Sequence, residues 1–205
     1  DRTRELKKWA ELIRMLEQEV KAYCAKKGIR LSDRTGSHHE LDFALPDAGI
    51  FFDVKEKLQP FSKAHWPNAA KAQEHLFIID DLAVRKMLLH APKSFCLIKD
   101  SSLAPSAYYL YSIVDLLCIP KVRARRPIER NVKAYKGKWL VDLRDAAAFV
   151  SLDDAMQYML AYEKKFRSIF QEHIDCWGMY PSERLIESGT TRRAEHWKKD
   201  ARSHL

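Results

Sequence analysis

Two runs of alternating side chains, His-His-Glu-Leu-Asp-Phe-Ala-Leu over 38–45 and Ile-Phe-Phe-Asp-Val-Lys-Glu-Lys-Leu over 50–58, flank Pro46-Asp47-Ala48-Gly49. A period of two is the pattern of a β-strand, and Pro, Asp and Gly between two such runs are turn formers. The chain must therefore accommodate a β-hairpin. With 46–49 as the loop, Leu45 falls opposite Ile50, Asp42 opposite Asp53 and Glu40 opposite Lys55. Glu40, Asp42, Asp53, Lys55 and Lys57 then share one face. Leu41, Phe43, Leu45, Ile50, Phe52 and Val54 share the other, which reads as the core face.

The surrounding pattern is that of an α/β protein. Leu6, Trp9, Ala10, Ile13, Leu16, Val20, Tyr23 and Cys24 recur at helical spacing, and Lys26-Lys27-Gly28 is a helix stop. Pro67 starts a short helix, and 75–79 is a buried strand. Asp80 or Asp81 caps a helix over 82–90. Strands are expected over 95–98, 108–119 (readable also as helix) and 138–143. Ser151 and Asp154 resemble a capping box ahead of a helix striped with Leu152, Ala155, Met156, Met159, Tyr162, Phe166, Ile169 and Phe170. The expected organisation is an α/β domain over 1–177 and a basic tail or arm over 178–205, within reach of one hydrophobic core at 205 residues.

Composition narrows the function. No apolar run approaches the roughly 18 residues of a membrane span, and Asp1-Arg2-Thr3-Arg4 leads straight into the amphipathic pattern. Four cysteines without CxxC spacing argue against a disulfide scaffold or zinc knuckle, and point to a reducing cytoplasm. The net charge is +8, and between Lys121 and Lys138 eight cations face the single acid Glu129. Such a concentration of charge suits a polyanion. Pro120 and Pro127 make this stretch an exposed loop or an edge strand. There is no glycine-rich phosphate loop.

Asp42 facing Asp53 demands a compensating cation, because directly opposed like charges destabilise a strand pair. Mg²⁺ is commonly held by one or two carboxylates with waters and substrate phosphates. Lys55 follows two residues beyond Asp53 on the same face.

Asp42, a turn, and then Asp53-Val54-Lys55 resemble the signature of the PD-(D/E)XK nuclease superfamily. Glu19, within Glu19-Val20-Lys21-Ala22-Tyr23, resembles the acidic position many members carry on the preceding helix, with Glu17 as the substitute. The resemblance covers about residues 10–60. Leu41 stands where the family name has Pro, and the triplet begins with Asp rather than the commoner Glu. The resemblance implies a restriction-endonuclease-like mixed central sheet flanked by helices, with a helical and basic C-terminal extension. It implies Mg²⁺, with Mn²⁺ as a substitute, held by Asp42, Asp53, the Val54 carbonyl and Glu19. Lys55 would orient or deprotonate water, in hydrolysis of DNA phosphodiesters. Lys57, Lys121, Arg123, Arg125, Arg126, Arg130 and Lys133 are the expected nucleic-acid contacts. The alternative is a catalytically inactive nucleic-acid-binding subunit of a larger DNA-processing complex; protein partners or an oligomer fit either reading.

Overall fold

The computed structural model describes the backbone over residues 2–62, 66, 73–128 and 131–172, and side chains over 15–62, 66, 73–125 and 135–162. Helix α1 (Arg2–Lys27) leads into a short strand β1 (Ser32–Asp33) and then the hairpin of β2 (Phe43–Leu45) and β3 (Ile50–Lys57). The register is the one the turn dictates: Leu45 pairs with Ile50 and Phe43 with Phe52. The loop is a 3-10 turn over Pro46–Ala48 closed by Gly49 at φ 63°, the left-handed conformation that glycine adopts without strain. The first strand is shorter than the alternation over 38–45 suggests, because residues 38–42 lie outside the ladder.

Strand β4 (Leu76–Asp80) and helix α2 (Asp81–Leu88) carry the chain over to β5 (Ser94–Asp100), which lies parallel to β3. A parallel neighbour requires such a crossover. Strand β6 (Ala107–Ser112) pairs antiparallel with β5, and the single strand expected over 108–119 ends there. Ser112 accepts from the Asp115 N–H and Asp115 from the Ser112 N–H, a capping box that starts helix α3 (Ile113–Cys118). Strands β7 (Val122–Ile128) and β8 (Asn131–Asp142) form a second hairpin. Strand β9 (Ala147–Phe149) follows, then helix α4 (Leu152–Glu172), at whose start Asp154 N–H donates to Ser151 Oγ at 3.1 Å.

Two sheets result: a mixed one ordered β1-β2-β3-β5-β6-β9 and an antiparallel one ordered β4-β8-β7. The protein is thus α/β with a mixed sheet flanked by helices. The chain divides into two units, Asp1–Tyr162 and Glu163–Leu205. The expected tail over 178–205 and the short helix at Pro67 lie outside the described residues, as does Cys176. No helix among the described residues is long and apolar enough to cross a membrane.

Both faces of the central strands are covered, as expected for strands with a parallel neighbour. Phe52, Val54, Phe95 and Leu97 occupy one face, where Tyr162 of α4 meets the Phe95 ring edge-on at 4.8 Å and α1 buries Leu16, Val20 and Cys24. On the opposite face Cys96, Ile98 and Tyr111 pack with Phe77, Ile79, Met87, Trp139 and Val141. Leu41 joins this second cluster, not the face assigned by simple alternation, because it lies beyond the end of β2.

That second face also carries Asp53, Lys55 and Lys57, so it is not an open solvent surface. Lys57 is buried, its Nζ 2.9 Å from Asp100 Oδ2 directly across the β3–β5 pair, and it donates to the Glu74 carbonyl. This corrects the expectation that Lys57 contacts nucleic acid: its ammonium is spent on tying three chain segments together.

Candidate functional site

Where β2 ends, the Val54 N–H loses a ladder carbonyl, and Asp42 supplies the replacement. Its Oδ2 accepts that N–H at 2.9 Å, while its own carbonyl accepts the Arg34 N–H at 2.9 Å. The carboxylate is thereby fixed at the strand edge beside Asp53. Strand alternation brings Asp53 and Lys55 to the same face, and Lys55 Nζ lies 2.5 Å from Asp53 Oδ2, 3.5 Å from Asp42 Oδ2 and 3.0 Å from the Val54 carbonyl. Three oxygens, from Asp42, Asp53 and Val54, therefore lie around one cation.

Electrostatics separate the two carboxyls. Asp53 is 4% exposed and stands beside Cys96 of β5. Burial pushes its pKa up to about 6, with Lys55 opposing and the hydrogen bond and charge of Asp42 reinforcing the rise. Burial also works against ionisation of Asp42, yet the proton of Asp53, the Lys55 charge and the Val54 N–H outweigh it and hold Asp42 below the usual carboxylate range. Burial disfavours the Lys55 ammonium too, but Asp53 and Asp42 prevail and raise its pKa. In the metal-free protein the like-charge conflict read from the register is thus relieved by Lys55, and below about pH 6 also by a proton on Asp53.

A pH signature follows. Asp53 is raised above its unfolded value near 4, so the folded state holds an extra proton between about pH 4 and 6, and its contribution to stability is lost as pH rises through that window. The isosteric Asp53→Asn variant cannot lose that proton. In EDTA, urea denaturation should show the variant gaining on wild type by about 1–3 kcal/mol between pH 4.5 and 7.5. A constant difference across that range would contradict the raised carboxyl.

The two acids flanking the stripe of α1 have different surroundings. Glu19 pairs with Lys99 Nζ at 2.7 Å and accepts from the Tyr108 hydroxyl, on the α1 border that faces β5 and β6. Its carboxylate is engaged away from Asp42. Glu17 is the one that feels the site: burial raises its pKa first, then the charge of Asp42, with Lys21 and Lys55 opposing. Arg34 is a residue the sequence reading missed. It bonds Glu40 Oε1 at 2.7 Å and lies 5.4 Å over the Phe51 ring, which itself stacks on His90 at 3.8 Å. Its only sequence signal is a cation a few residues ahead of the first Asp. His38 and His39 are exposed.

The basic segment forms the β7–β8 hairpin, with β7 as the outer strand of its sheet, as Pro127 requires. Its cations are not equivalent. Lys121 donates to the carbonyls of Leu117 and Ile119 at 2.8 and 3.2 Å, closing the C-terminus of α3, and lies 5.2 Å over the Trp139 ring. Its ammonium is thus engaged within the protein, while the side chain stays partly exposed. Of the two candidates for capping α2, Asp80 occupies the N-cap position, but its side chain makes no capping bond and pairs with Lys138. Arg123 reaches Asp81 at 2.8 Å while remaining 63% exposed. Arg125 is exposed and has no ion partner among the described residues. Arg126 and Lys133 lie on the two strands with side chains outside the described set, and Arg130 is outside it altogether.

Comparison of the chain with protein-family models, with curated proteins and with solved structures finds no match in any of the three.

Proposed function

We propose that the protein is a Mg²⁺-dependent nuclease of the PD-(D/E)XK type that hydrolyses DNA phosphodiesters on a restriction-endonuclease-like sheet. The observation that supports it best is the convergence of Asp42 Oδ2, Asp53 Oδ2 and the Val54 carbonyl on a single cationic point, now taken by Lys55 Nζ. Hard oxygen donors of this kind suit Mg²⁺ or Mn²⁺. No three acidic, histidine or cysteine side chains cluster as ligands among the described residues, so waters and a substrate phosphate would complete the shell, the ordinary pattern for Mg²⁺. When bound, the ion supplies Lewis-acid polarisation of the phosphodiester and acidification of water.

The residues divide the remaining work. Asp42 and Asp53 provide negative charge, and the strand edge fixes the Val54 carbonyl between them. Glu17 replaces Glu19 as the helix acid. Lys55 keeps its charge because the neighbouring Asp53 and Asp42 raise its pKa against the opposing effect of burial, and beside a bound ion it would be placed to orient water or balance charge developing on phosphate. Arg125 and Arg123 are the exposed cations that fit a backbone contact. A cytoplasmic setting remains part of the proposal.

The second reading, a non-catalytic nucleic-acid-binding subunit, draws support from the self-neutralised state of the site, in which Lys55 already satisfies both carboxylates. Calorimetric titration with Mg²⁺ or Mn²⁺ alongside plasmid cleavage separates the two. The nuclease reading expects metal binding and nicking together; metal-independent DNA binding without cleavage would leave the second.

A further inference from the structure

Between the start of α2 and the β7–β8 hairpin lies a groove of about 560 Å³ lined by Asp81, Arg85, Arg123, Arg125, Tyr135 and Gly137. Its shape depends on Gly137. A Cβ there would stand 2.8 Å from Asp81 Cβ, so only glycine lets α2 settle this close to β8. Asp81 then takes the Trp139 indole N–H at 2.8 Å, Arg123 at 2.8 Å and Arg85 at 2.7 Å. One carboxylate thus aligns two guanidiniums without cancelling them, and they remain 72% and 63% exposed at Arg85 and Arg123. Arg125 adds a third. The strand register pairs Arg123 with Trp139 and Arg125 with Gly137, which places both arginines on the same face of the sheet as Tyr135. Tyr135 is 61% exposed.

We infer that this groove binds an unpaired strand of nucleic acid, with a base stacked on Tyr135 and phosphates held by Arg85, Arg123 and Arg125. Three guanidiniums against one committed carboxylate attract a polyanion, and an exposed aromatic ring among cations is what sequence-tolerant single-strand sites use. A duplex keeps its bases stacked inside and offers phosphates and groove edges but no free base face, leaving Tyr135 without a stacking partner. A phosphopeptide would use the arginines but supplies no ring at each charged unit. The inference rests on the polynucleotide partner of the reading above, not on its chemistry.

The test is fluorescence anisotropy in EDTA with a labelled oligothymidylate and a blunt duplex of equal length. Tyr135→Ala should weaken oligothymidylate binding about tenfold or more and leave duplex affinity within about twofold, while Tyr135→Phe binds like wild type. Arg125→Gln should weaken both ligands and reduce the salt slope by about 0.7–0.9, the contribution of one phosphate contact. Equal loss on both ligands with Tyr135→Ala, no loss on either, or no oligothymidylate binding by the wild-type protein overturns the inference. Because no metal is present, these outcomes are independent of plasmid cleavage, whose absence would instead strike the nuclease reading.

Discussion

Plasmid cleavage in Mg²⁺ should fall by about a thousandfold or more in Asp42→Ala and in Asp53→Ala, since loss of a metal ligand forfeits several kcal/mol of transition-state stabilisation. Lys55→Ala should lose cleavage to a similar degree yet still bind Mn²⁺ calorimetrically, because its ammonium competes with the ion for the same oxygens. That split between binding and turnover separates a ligand from a group acting on water or phosphate. On α1, Glu17→Gln should reduce cleavage, whereas Glu19→Gln should disturb only the Lys99 and Tyr108 contacts and leave turnover near wild type. Mg²⁺-dependent cleavage retained in both Asp53→Ala and Lys55→Ala would defeat the assignment, and the reverse ranking of Glu17 and Glu19 would restore the first choice of helix acid.

The largest effect on stability is expected at a residue that alternation places on the same face as the site. Lys57→Met should destabilise the protein by about 3–5 kcal/mol, because it leaves the Asp100 carboxylate buried without its counter-ion. The second change, Asp100→Leu, should recover most of that loss in the double variant, since removing both charges removes the unpaired one. Urea denaturation of the two single variants and the double variant measures the coupling. The folded Lys57→Met protein should show the same salt dependence of DNA binding as wild type. A flattened salt slope would mean that Lys57 reaches phosphate after all, and additive single effects would mean that the pair is not coupled.

These two residues show how far alternation carries. Lys55 and Lys57 stand on the same face of one strand, and the sequence makes them equivalent. Tertiary structure distinguishes them: Lys55 lies beside the point where β2 has left the sheet and keeps a side chain 36% exposed, whereas Lys57 meets Asp100 under the loop that carries Glu74. Arg123 and Lys121 diverge for a related reason. One is drawn to an acid that only the α2 packing supplies, the other to carbonyls at a helix end that the strand-like reading of 108–119 concealed.

The sequence by itself determined the hairpin and its register from Phe43–Phe52 to Leu45–Ile50, and it brought Asp42 close to Asp53 although Asp42 stands just outside the ladder. Those follow from a period of two and a turn whose length is set by Pro46 and Gly49, both local properties of the chain. It also determined the helical stripe of Leu16, Val20 and Cys24. Which border of that stripe faces the hairpin is not local, because Glu17 and Glu19 flank it symmetrically on paper. Only the packing of α1 across β3 set Glu17 toward Asp42 and Glu19 toward Lys99. Likewise the charge that relieves the two aspartates was legible as a need but not as a solution. Burial beside Cys96 on one face of the sheet decided part of it, by raising Asp53 so that it holds a proton up to about pH 6, and the Lys55 ammonium set against both carboxylates supplies the rest.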